Sequence, residues 1–198
     1  MLKLVFATNN KNKIKEIQNA LNGIVEILSL KDIGFEGDIP EDFETLKENA
    51  LQKAHYIADR FNVNCFADDT GLEIDALNGA PGVYSARYAG EDCVAENNMA
   101  KVLANLKGEK NRRAKFRTVV ALVLDNEDYT FEGVAKGEIL NENTGSEGFG
   151  YDPIFKPEGF EESFAQMSID QKNAISHRGA AVRKLVEYLK NSSGTSNF

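Results

Sequence analysis

The 198-residue chain is 42% hydrophobic and 27% charged with only 4 prolines, which excludes disorder and fibrous repeats and leaves room for a sizeable core. A net charge of −8 disfavours binding to a nucleic-acid polymer, but a small phosphorylated ligand can still be met by local cations or a bound metal ion. Its 2 cysteines, Cys65 and Cys93, make neither a disulfide framework nor a zinc ligand set, and they suit a reducing, cytoplasmic setting. No stretch has the apolar length of a membrane span.

Leu2–Ala7 reads as a first strand, running into the polar loop Thr8–Asn12. Ile14, Ile17 and Leu21 then recur at helical spacing up to Asn22-Gly23, and Val25–Leu30 is a second strand. Residues 34–44 form an acidic loop. Thr45 and Glu48 have the spacing of a capping box ahead of a helix burying Leu46, Ala50, Ala54, Ile57 and Phe61. A third strand, Asn64–Ala67, leads into Asp68-Asp69-Thr70-Gly71, and Leu72–Leu77 alternates like a separate half-buried strand. An irregular small-residue loop spans 79–90. A helix is expected over 92–106 with Val94, Val102 and Leu106 inward. Phe116–Leu124 and Tyr129–Leu140 read as strands joined by an Asn126-Glu127-Asp128 turn. A last helix covers about 176–189, and 191–198 reads as a frayed tail, leaving a single domain over 1–190 with two lobes. Helices alternating with strands, followed by a long hairpin, predict an α/β fold with a mixed sheet and flanking helices.

Several segments carry groups suited to chemistry. Thr8-Asn9-Asn10-Lys11-Asn12-Lys13 lies at a strand–helix junction, where backbone N–H groups and the helix dipole favour anions. The same composition also suits a plain polar N-cap, and the Gly-rich Walker pattern is absent. Asp68 and Asp69 are adjacent carboxylates that repel unless a cation compensates. On a persisting strand they face opposite ways, so one of them could face a site, as a metal ligand or as a base toward water, while the same run also has the composition of an ordinary Asp-Asp-Thr-Gly turn. The acidic loop offers Glu41, Asp42 or Glu44 as a second metal ligand, and Lys53 has no acidic residue one turn before it to pair with. Gly148-Phe149-Gly150-Tyr151-Asp152-Pro153 offers flat aromatic faces for a base and an acceptor for heterocycle N–H groups, and equally suits a tight Gly-rich turn with a Tyr-Asp-Pro hairpin end. Lys172, His177 and Arg178 add cations and donors for phosphate or an exocyclic oxygen, whereas His55 reads as structural or exposed.

Together these segments resemble the inosine triphosphate pyrophosphatase family. The matching pieces span nearly the whole chain: Ala7-Thr8-x-Asn10-x-x-Lys13-x-x-Glu16, Glu48-Asn49-Ala50 with Lys53, Ala67–Leu72, Gly79–Arg87, Gly148–Pro153, and Lys172 with Ser176-His177-Arg178. The resemblance implies Mg²⁺-dependent hydrolysis of ITP, dITP and XTP to the monophosphate and pyrophosphate. It also implies an elongated two-lobed fold with a central cleft, and a cytoplasmic homodimer. On matching positions it makes Asp69 the catalytic carboxylate and a metal ligand, with Glu41 as the second ligand. Thr8, Asn9, Asn10, Lys11, Asn12 and Lys13 would hold phosphates, and Lys53 and Thr70 would contact substrate. Phe149, Gly150, Tyr151 and Asp152 would hold the base, with Lys172, His177 and Arg178 completing that pocket. Asn9 and Asn12 stand where many members carry small residues, and Thr70 replaces a frequent Ser while keeping the hydroxyl. The alternative from another class is a non-catalytic purine nucleotide sensor, which gains little from carboxylates facing a triphosphate.

Overall fold

The computed structural model describes residues 1–193. In chain order its regular elements are β1 (Leu2–Phe6), α1 (Lys11–Leu21), β2 (Val25–Leu28), α2 (Leu46–Phe61), β3 (Cys65–Ile74) and β4 (Pro81–Gly82). There follow α3 (Ala95–Asn105), β5 (Arg113–Leu124), β6 (Glu127–Ile139), β7 (Phe155–Pro157), α4 (Ile169–Ile175) and α5 (His177–Ser193). Short 3₁₀ turns punctuate the connections. The seven strands form one mixed sheet of order β2-β1-β3-β5-β6-β7, with β4 paired to β3 off that path.

The chain divides into two compact units. The first comprises Met1–Asp69, Thr118–Gly133 and the chain from Arg178 onward; the second comprises Thr70–Arg117 and Val134–His177. In the first unit β1 runs parallel to both β2 and β3, with Phe6 opposite Phe66. These two rings stack at 4.5 Å, only 3° from coplanar. Around them Leu4, Ile17, Leu21, Leu122 and Leu185 are fully buried, each such side chain contributing about 1.5–3 kcal/mol by leaving water. In the second unit Leu72, Ile74, Val102, Phe116, Phe155 and Phe164 form a separate core. An open depression of about 770 Å³ on that unit, edged by Arg113, Lys136 and Phe160, contains none of the residues expected to carry chemistry.

Several sequence-based boundaries change. The third strand and the alternating segment after it are one strand, β3, which continues through Asp68-Asp69-Thr70-Gly71. Gly71 permits this, because a Cβ there would lie 2.7 Å from the Gly82 carbonyl oxygen of β4, its antiparallel neighbour. The β5–β6 turn is Asp125-Asn126, not residues 126–128; both have positive φ (51° and 66°), the twist a two-residue hairpin needs. α3 starts at Ala95, so Val94 is its N-cap and remains 36% exposed instead of facing inward. α5 continues to Ser193; the remainder of the expected frayed tail, 194–198, lies outside the described residues. β4, β7 and α4 were not anticipated, since such short elements show too little periodicity.

Candidate active site

In the first unit β1 ends at Phe6, beside Phe66 near the start of β3, and the carboxyl end of a parallel strand is where α/β folds bind ligands. Past β1 the chain enters α1 through Thr8–Asn10. Asn10 is the N-cap, its Oδ1 accepting the N–H groups of Asn12 (3.0 Å) and Lys13 (3.2 Å). Thr8 Oγ1 accepts the Asn10 N–H at 3.1 Å. These backbone groups, expected to be open to an anion, are therefore capped from within the loop. The Asn9 amide is bonded to the Gly37 carbonyl at 3.0 Å, while Lys11 and Asn12 are exposed.

α1 returns Lys13 toward β3, placing its Nζ 3.1 Å from Asp68 Oδ1. Asp68 Oδ2 accepts Arg178 Nε at 3.2 Å, and Arg178 Nη1 is bonded to Glu16. On its own, burial would push Asp68 up, but the Lys13 and Arg178 cations outweigh it and hold the carboxyl far below the usual range. Burial pulls Lys13 below the ordinary lysine value, and Asp68 offsets this only in part. Arg178, expected beside the base, thus has its guanidinium committed to two buried acids.

Asp69, the next residue along the strand, meets a different set. Lys53, which the resemblance sets against substrate, is only 6% exposed; its Nζ lies 3.6 Å from Asp69 Oδ1 and is bonded to Glu41. Burial raises the Asp69 carboxyl above the usual range, with the Glu41 charge adding to the shift against the pull of Lys53. Burial alone would lower Lys53, yet Asp69 and Glu41 together hold it above its ordinary value. Among the acidic-loop carboxylates, Glu41 is the one that reaches this ammonium, whereas Asp42 Oδ2 accepts the Gln52 amide at 2.6 Å. Two carboxylates converging on the Lys53 ammonium are hard oxygen donors of the kind that a divalent cation takes together with substrate phosphates.

The second unit holds the aromatic loop. Phe149 is half-buried, its N–H donating to Asp152 Oδ2 at 2.8 Å. The same oxygen accepts Lys172 Nζ at 2.6 Å, and that ammonium lies 4.9 Å from the Phe149 ring centroid and 5.6 Å from that of Phe164. Asp152 therefore spends this oxygen on organising its own loop. Gly150 takes a positive φ of 63° next to Phe149. Tyr151 was expected to present a stacking face, but its ring is packed into the second core and its hydroxyl donates to the Ser85 carbonyl at 2.6 Å. Phe149 is the aromatic face of this loop that remains half-exposed. His177 is buried and stacked on Phe116 at 4.5 Å and 15°, which fixes its ring plane. Thr70 is half-buried at the start of this unit.

Sequence reasoning gave no role to Glu16 or Ser85. Glu16 was visible only as part of a motif, and in the fold it is buried against Arg178. Ser85 Oγ accepts the Leu72 N–H at 2.9 Å and donates to the Gly82 carbonyl at 2.6 Å, an internal tie without a sequence signature.

A mixed α/β sheet with two adjacent carboxylates on β3, each met by a buried cation just past the end of the parallel neighbour β1, defines a protein built for phosphorylated ligands. The Ham1 family model matches residues 4–188, and the chain belongs to that family. It is 55% identical to the dITP/XTP pyrophosphatase of Flavobacterium johnsoniae over 188 residues, covering 95% of this chain and 98% of the relative. It is 52% identical to the dITP/XTP pyrophosphatase of Porphyromonas gingivalis, covering 96% and 98%. The solved structure of a Ham1 protein from Coxiella burnetii superposes with a TM-score of 0.89 at 38% identity, covering 96% of this chain and 100% of that one.

Proposed function

We propose that this chain is a Mg²⁺-dependent nucleoside triphosphate pyrophosphatase. It hydrolyses the non-canonical purine nucleotides ITP, dITP and XTP to the monophosphate and pyrophosphate. The observation that carries the proposal is the division of labour between two adjacent carboxylates: Asp68 is neutralised by Lys13 and Arg178, whereas Asp69 faces Glu41 across the Lys53 ammonium. The names of the relatives point to the same reaction.

Asp69 and Glu41 would hold Mg²⁺, which supplies charge neutralisation for the triphosphate and the departing pyrophosphate. Asp69, the more basic carboxylate, takes a proton from water as the water oxygen bonds to the α-phosphorus and the bond to the bridging oxygen breaks. Lys13 and Lys53 bring positive charge to the phosphates, and Thr8 to Asn12 and Thr70 line their path. The base rests on Phe149, with Gly150, Tyr151, Asp152 and Lys172 holding that loop in shape. His177, with its plane set by Phe116, offers an N–H to the purine 6-carbonyl. Adenine has an amine there and would leave the donor unpaired, a mismatch that polar sites reject strongly. Arg178 fixes the cationic side from beneath. The proposal places the enzyme in the cytoplasm as a homodimer; among the described residues no helix is long and apolar enough to cross a membrane.

Turnover of ITP, XTP, ATP and GTP with Mg²⁺, resolving pyrophosphate from orthophosphate, tests this reading. Pyrophosphate should be released from ITP and XTP far faster than from ATP or GTP, and chelation with EDTA should abolish it. Asp69→Asn should lower kcat by about 10²–10⁴-fold while remaining folded. Orthophosphate as product, or a fully active Asp69→Asn, would overturn the reaction or the role of Asp69. Nucleotide binding without turnover would favour a sensor.

A further inference from the structure

The reaction proposed above gives Asp68 no contact with substrate, yet it is the most deeply buried charged side chain of the first-unit cluster. Its side chain is 0% exposed, against 2% for Arg178, 4% for Glu16 and 15% for Lys13. The four groups form a chain of alternating charge, Glu16, Arg178, Asp68, Lys13, in which Lys13 is the most exposed member. A lysine ammonium is a point charge on a flexible four-carbon stem, and immobilising it before a ligand arrives removes an ordering cost from binding. Asp68 is suited to that task. One oxygen takes Lys13 Nζ at 3.1 Å, and the other is held by Arg178 Nε at 3.2 Å, so the carboxylate is fixed from behind while it fixes Lys13 in front.

We infer that Asp68 is a positioning residue that holds the Lys13 ammonium in place for the triphosphate, with Arg178 and Glu16 as its anchor. The inference rests on the phosphate-binding role given to Lys13 above. It separates the two neighbouring carboxylates: Asp69 meets the reacting atoms, and Asp68 acts through Lys13.

The test is a double-mutant cycle with Asp68→Asn and Lys13→Met, read by kcat/KM for ITP and by calorimetric titration of inorganic triphosphate. Asp68→Asn preserves shape but removes the charge that faces Lys13. It should weaken both inorganic triphosphate binding and kcat/KM by about 10–100-fold, the effect of losing one hydrogen bond to a charged group. Added to Lys13→Met, it should cost no more than about twofold further, since the ammonium through which it acts on the triphosphate is gone. A folded Asp68→Asn that binds inorganic triphosphate like the wild type, or losses that multiply across the cycle, would overturn the inference. Asp68→Asn alone leaves Lys13 and Arg178 facing Glu16, and that variant is the one at risk of misfolding. The double variant restores a one-to-one pairing of Arg178 with Glu16, so comparing it with Lys13→Met alone still decides the matter: equal kcat/KM and equal triphosphate affinity support the inference, and a further loss sinks it. A wild-type protein that binds inorganic triphosphate but releases no pyrophosphate from ITP would overturn the reaction and leave the Asp68 measurement valid.

Discussion

Gly148 and Gly150 flank Phe149, and both have positive φ, 73° and 63°. Their surroundings differ. A Cβ on Gly150 meets nothing within 4 Å, whereas a Cβ on Gly148 would strike the Asp152 carboxylate at Oδ2. That oxygen already accepts Phe149 N–H at 2.8 Å and Lys172 Nζ at 2.6 Å. A carboxylate at the end of a side chain normally moves aside at little cost, but this residue is 2% exposed and tied by two donors. Alanine at either glycine costs about 1–2 kcal/mol for the left-handed backbone. At Gly148 the displaced carboxylate also weakens two bonds to a charged acceptor, each worth about 1.5–3 kcal/mol if lost outright. Gly148→Ala should therefore be less stable than Gly150→Ala by about 2–4 kcal/mol. For a protein of this size, that separates the two melting temperatures by roughly 10 °C. Calorimetry on both variants reads the difference directly, and the KM for ITP should rise in Gly148→Ala more than in Gly150→Ala as Phe149 loses its anchor. Equal melting temperatures for the two would refute the claim that Asp152 is held rigidly by its own loop.

Two further predictions concern groups away from the reaction. Burial pushes the Cys65 thiol up to about 12, whereas Cys93 is exposed. Iodoacetamide at pH 8 should label only Cys93 in the native protein and both cysteines after denaturation, as read by intact mass; rapid native labelling of Cys65 would contradict its place in the core. His55 on α2 is bonded through Nε2 to Asp128 of β6, and that bond raises its pKa, with Asp59 adding a little. A raised folded value means the bond stabilises fully below the unfolded pKa of about 6.5 and fades as pH rises through the folded one. His55→Gln should thus show its stability deficit in urea at pH 5.5 and lose it by pH 9; a deficit independent of pH would rule out the ion pair.

Much of this protein was legible before folding, because local physics governed it. Ile14, Ile17 and Leu21 mark α1 by helical spacing, Thr45 caps α2 as its neighbour Glu48 suggests, and β1 is a plain apolar run. The motifs also named the chemistry, since a carboxylate pair, a Gly-Phe-Gly-Tyr-Asp loop and a Ser-His-Arg segment each state what a side chain can do. What each side chain does depends on partners far along the chain. Asp68 and Asp69 are the same side chain twice, and although the resemblance singles out Asp69, only the strand running through them turns one toward Lys13 and Arg178 and the other toward Lys53 and Glu41. Tyr151 and Phe149 are equally aromatic, but the second core takes Tyr151 and leaves Phe149 half-exposed. Arg178 lies 162 residues from Glu16, and no local pattern announces that pair. Burial and long-range ion pairing are properties of the packed chain. They decide which carboxylate is basic, which cation is fixed and which ring stays half-exposed, because desolvation and Coulomb attraction act through space and not along the sequence.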